Sequence, residues 1–133
     1  MALAALAGLS ACIHRHEASV ERSSIRFATV LRGEIFGPGG GSRTALYVRR
    51  PFPWTANSES ALFRIEPNQK HAVRVSVRFG DVVVENPGAS GDRPYVEMLT
   101  GNPNVEVLSG LQRDDRIILS DMSAFTEPRI ELY

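Results

Sequence analysis

The chain has 133 residues, 43% of them apolar, which suffices for one domain with a small hydrophobic core. Its 15 basic and 15 acidic residues cancel, so the sequence lacks the positive field on which nucleic-acid binding draws, and composition names no ligand. Val, Ile, Phe and Tyr recur in short runs between Gly, Pro, Asn and Asp, a pattern that predicts pleated strands and an all-β fold.

Met1 to Ala11 is almost wholly Ala, Leu and Gly, too short to span a bilayer but the length of a signal-peptide apolar region. No Lys or Arg precedes it. It ends in Leu9-Ser10-Ala11-Cys12, which resembles the lipobox of bacterial lipoproteins, where a peptidase cuts before a lipid-bearing cysteine. Cys12 is the only cysteine, so it forms no internal disulfide, and acylation gives the unpaired thiol a role. The alternative is a buried helix start with an incidental cysteine. Residues 12–23 then read as a mobile tether, because His14, Arg15, His16, Glu17, Glu21 and Arg22 break any apolar face.

From Ser24 to Val30 polar and apolar residues alternate, and residues 24–36 are expected to be a first strand with one wet side. Residues 37–43, rich in glycine, form a flexible linker. Thr44 to Val48 is a short strand stopped by Pro51 and Pro53, which lack backbone donors. Ala61 to Ile65 and Ala72 to Phe79 form a hairpin about the turn Glu66 to Lys70. In its second arm Val73, Val75, Val77 and Phe79 share one face, Arg74, Ser76 and Arg78 the other, so a one-residue slip would bury two arginines. Val82 to Val84 extends the pattern, and Asn86 to Pro94 is an exposed loop. The similar pieces Val96 to Gly101 and Val105 to Gly110 suggest a local duplication. Arg116 to Ser120 and Arg129 to Leu132 are closing strands, with a turn or a single helical turn at Asp121 to Phe125.

Several of these segments resemble the HlyD-type periplasmic adaptors, or membrane fusion proteins. Leu46-Tyr47-Val48-Arg49-Arg50-Pro51, Ala56-Asn57-Ser58 and Leu62-Phe63-Arg64-Ile65-Glu66-Pro67 are similar to the stretch joining the β-barrel to the membrane-proximal domain. Ala72 to Gly80, Val105 to Leu111 and Asp115 to Ala124 look like that domain itself, and Ser24 to Glu34 is similar to the strand that returns to complete it. The resemblance covers most of residues 44–133. It implies a small β barrel or roll of the membrane-proximal type, completed by an N-terminal strand. It further implies a periplasmic subunit that docks on an inner-membrane transporter, ABC-type before RND-type, with self-association as in adaptor rings; the lipid anchor is what the lipobox at Cys12 implies, and no cofactor or metal is expected.

The chain departs from the adaptor pattern at three places. Residues 37–43 stand where an adaptor carries its lipoyl-like domain, helical hairpin and most of its β-barrel, so a remnant without transport function is an alternative. Asp114 replaces the glycine of the Gly-Leu-x-x-Gly-Asp turn, and Asp tolerates the left-handed conformation required. Asn86 to Asn104 is longer than the usual connection.

No enzyme motif occurs, and none of the candidate catalytic groups is grouped as chemistry requires. His14 and His16, with Glu17, are too few for a metal site in a polar tether, and His71 beside a turn reads as a surface residue. Asp114, Asp115 and Asp121 are better explained as turn residues than as acid–base pairs. Arg49, Arg50 and Trp54, beside Phe52, form the most suggestive partner-contact cluster, since Arg and Trp anchor interfaces; the alternative is a Trp capping the core. Arg74 and Arg78 are further candidates for acidic groups on a pump, and solvated strand faces have the same pattern. An unrelated small lipoprotein that binds a ligand is the remaining reading.

Overall fold

A computed structural model describes residues 17–36, 41–85 and 102–133. Cys12, His14, His16, residues 37–40, the Asn86 to Pro94 loop and the first of the two similar pieces, Val96 to Gly101, lie outside the described residues. What is described is all-β: β1 (Ala18–Val20), β2 (Phe27–Thr29), β3 (Leu31–Phe36), β4 (Ser42–Arg49), β5 (Glu59–Ile65), β6 (His71–Glu85), β7 (Asn104–Ser109), β8 (Arg116–Ile118) and β9 (Arg129–Leu132). A single 3-10 turn, Arg22–Ser24, separates β1 from β2.

The strands are hydrogen-bonded in the order β2-β8-β5-β6-β3-β4-β7, and β7 returns to β6, so the sheet curls into a partially closed ring. The expected first strand is present but changes partner in its middle. Phe27–Thr29 pairs with β8 and Leu31–Phe36 with β4. Between them Val30 is fully buried, donates its N–H to the Asp115 carbonyl at 2.8 Å and accepts from the Asp114 N–H at 2.9 Å. The 15-residue β6 does the corresponding work on the other side. Its first half pairs with β5 and β9 and its second with β7 and β3, and the register against β7 shifts around Phe79, a bulge that bends the strand.

Two large apolar clusters lie on opposite faces of this sheet, and a third, small one gathers Ile35, Tyr47 and Val83. Val30, Val48, Leu62, Val77, Phe79, Val105, Val107, Leu111, Ile117 and Leu119 fill the first. Val20, Phe63, Ile65, Ala72, Ile118, Met122, Ile130 and Leu132 fill the second. Neighbouring residues therefore point into different cores: Leu62 against Phe63, Ile117 against Ile118. That is why these runs are continuously apolar, as in strands covered on both faces. In β6 Val77 and Phe79 are buried while Arg74, Ser76 and Arg78 are exposed, which is the expected alternation, but Ala72 is buried on the arginine side because β9 covers that end.

Three expected boundaries are corrected. Residues 12–23 are not tether throughout, because Ala18–Val20 pairs in parallel with Ile130–Leu132 and buries Val20 in the second core. Three residues are too few to show a strand period, and the partner lies at the other end of the chain. The linker 37–43 ends early: Ser42 and Arg43 belong to β4, paired with Phe36 and Ile35. Arg116 to Ser120 forms a strand only as far as Ile118; the Leu119 N–H still bonds the Arg26 carbonyl in register with β2, but the Leu119 carbonyl accepts from the Phe52 N–H.

Candidate functional site

The proline that follows Arg50 ends β4 pairing, and the next residues stand away from the sheet as a short wall. Arg50 N–H donates to the Pro103 carbonyl at 2.9 Å and Phe52 N–H to the Leu119 carbonyl at 2.9 Å. With its backbone so fixed, Phe52 remains 63% exposed. A second wall is the turn after β8. Phe125 N–H closes it onto the Met122 carbonyl at 3.0 Å, and Asp121 Oδ1 accepts from the Ser123 N–H at 2.9 Å. The Ser123 hydrogen bonds hold the Asp121 carboxyl below the usual carboxylate range.

Between the walls lies a groove of about 290 Å³. Pro51, Phe52 and Pro53 line one side, Met122 and Phe125 the other, with the buried Phe63 among the lining β5 residues. Arg74, from β6, lines it too, and its Nη1 reaches the Phe125 carbonyl only at 3.4 Å. Arg78 stands further along the same exposed face of β6, opposite Glu59 in register. Glu59 is occupied by the Ser76 hydroxyl, and no carboxylate of the described residues makes an ion pair with Arg74 or Arg78.

The predicted contact residues thus divide. Arg74 is brought to the groove and Arg78 to the same strand face. Arg50 lies over the Trp54 ring, 5.7 Å from its centroid, and Trp54 packs against the first core, the capping role that the sequence left as one of two. Its indole N–H is buried without a partner among the described residues. Arg49 turns elsewhere, donating to the Asn102 carbonyl at 2.7 Å. Phe52 was named in the sequence beside the Arg49, Arg50 and Trp54 cluster and lines the groove, whereas Phe63, Met122 and Phe125 were not legible as part of a site.

Two charged clusters were also missed. Glu106, in an alternating strand, is only 6% exposed because Arg43 from β4 closes over it with both guanidinium nitrogens, and this bridge holds the Arg43 pKa up. Glu17, His71 and Glu131 have ligand atoms within 4.8 Å of one another, so His71 is half-buried in a cluster rather than a plain surface residue. Its chemistry is settled by Asn68. The Asn68 Oδ1 accepts from the Lys70 and His71 N–H groups, which leaves its amide nitrogen facing His71 Nδ1 at 3.0 Å. Nδ1 is therefore an acceptor, and in the neutral ring the proton sits on Nε2, 3.6 Å from Glu17. A metal would need the Nε2 lone pair, so the arrangement suits charge sharing with Arg129, which reaches Glu17 and Glu66, better than coordination.

The carboxylates weighed for acid–base work are engaged in turns. Asp115 Oδ2 accepts from the Gln112 N–H at 2.7 Å, Asp121 has the role given above, and Asp114 adopts φ +73°, the left-handed conformation expected where a glycine is replaced. Comparison with protein-family models, curated proteins and solved structures finds no match. Among the described residues no helix is long and apolar enough to cross a membrane.

Proposed function

We propose that this protein is a periplasmic docking module, held to the membrane by a lipid on Cys12, that contacts an inner-membrane exporter, ABC-type in preference to RND-type. The observation that carries the proposal is the place of the segment Phe27–Phe36: it pairs with β8 and β4 and so joins a sheet whose other strands, β1 apart, come from residues 42–132. That is the arrangement which the resemblance to HlyD-type adaptors implies, with the N-terminal strand returning from the anchor into the membrane-proximal domain. An apolar groove with two unpaired arginines on one exposed face supplies a surface of the kind that partners use.

The β3–β4 register favours a limited form of this role. Leu31–Phe36 pairs directly with Ser42–Tyr47, so the chain passes from one strand to the next through residues 37–41 and carries no helical hairpin there. The module would engage a pump without reaching an outer-membrane channel. Affinity purification of the intact chain and of Cys12→Ala from solubilised membranes tests the reading. A polytopic transporter should copurify with the intact chain and be reduced with Cys12→Ala; recovery of no transporter with either form would overturn it.

A further inference from the structure

The groove beside Arg74 admits a sharper statement, which rests on the docking proposal. We propose that it receives an extended partner segment carrying one bulky apolar side chain flanked by carboxylates. At about 290 Å³ it lies at the lower bound of small-molecule pockets, so it suits a single side chain rather than a cofactor. Pro51, Phe52, Pro53, Phe63, Met122 and Phe125 give it aromatic and adaptable walls, and Phe52, 63% exposed at the rim, has surface to cover.

The charge pattern sets the flanks. Arg74 lines the groove and has only a long contact to a carbonyl, while Arg78 follows on the same face. Glu59 is engaged by Ser76 and Asp121 by Ser123, and no carboxylate of the described residues makes an ion pair with Arg74 or Arg78. Guanidinium groups bind carboxylates in a bidentate fork, so Arg74 at the groove and Arg78 further along β6 complement a segment with acidic residues adjoining its anchor.

The test uses full-length Cys12→Ala protein and a fluorescein-labelled heptapeptide with a central phenylalanine between two aspartates, read by fluorescence anisotropy. Binding should weaken at least about tenfold when the peptide phenylalanine becomes alanine, when its aspartates become lysines, or when the protein carries Arg74→Gln or Phe52→Ala. Arg32→Gln, on exposed β3, should leave binding unchanged, and thermal melts of all variants separate lost binding from lost fold. No binding at about 1 mM peptide, or binding indifferent to peptide charge, would overturn the inference. So would a dimer that Phe52→Ala dissolves, since that assigns the groove to a second copy. Purifying the transporter with the Arg74→Gln chain keeps the two proposals apart. Undiminished transporter recovery together with no peptide binding defeats only this one, while peptide binding without any transporter defeats only the docking role.

Discussion

Gly110 is the residue at which the fold leaves least freedom. Its φ is +97°, and a Cβ placed there would stand 2.3 Å from the Ser76 carbonyl oxygen and 3.0 Å from Val77 Cα, both backbone atoms of β6 that have nowhere to go. Gly110→Ala therefore combines backbone strain with a clash and should destabilise by about 3 kcal/mol, measured by urea unfolding. Gly80 is tight for a different reason: a Cβ placed there would stand 3.1 Å from Glu106 Oε1, the carboxylate that Arg43 covers. Asp114, by contrast, occupies a left-handed position at low cost because its short polar side chain tolerates that conformation.

At the scale of elements, β9 ties the two ends of the chain together. It pairs with β1 in parallel and with the start of β6, and Arg129 at its head bridges Glu66 at 2.8 Å and Glu17 at 3.5 Å. The hydrogen bond from Arg129 is the main reason that the Glu66 carboxyl lies below its usual range. A carboxyl lowered in the folded state stabilises above its unfolded pKa, and that contribution is lost as pH falls through the folded value. Arg129→Gln should therefore lower stability at neutral pH, and the gap to the unchanged protein should close as acid protonates Glu66. Urea midpoints measured across the acid range check this; a gap independent of pH would show that Glu66 does not mediate it.

The elements that the sequence made legible are those with a long pattern or strong punctuation. The β5–β6 hairpin follows from alternation about the Pro67-Asn68 turn, β4 from its apolar run stopped by prolines, and β9 from a short run matched by the structure residue for residue. What stayed hidden depends on partners distant in sequence. β1 is a strand only because β9 offers it an edge, Ala72 is buried only because β9 covers it, and Glu106 leaves solvent only because β4 brings Arg43 over it. The groove belongs to the same class, since its walls come from the segments after β4 and after β8.

For the whole molecule, two large cores on opposite faces of one curled sheet make a platform, and among the described residues the groove walls stand on it. Under the proposed docking role, a lipid on Cys12, six residues before β1, would hold the domain close to the membrane surface. The most direct test is a benzophenone photo-crosslinker at position 52, with position 32 as control, irradiated in intact cells. A polytopic exporter subunit should be crosslinked from position 52 and not from position 32. The same products from both positions, or none that contains a transporter, would contradict the docking role.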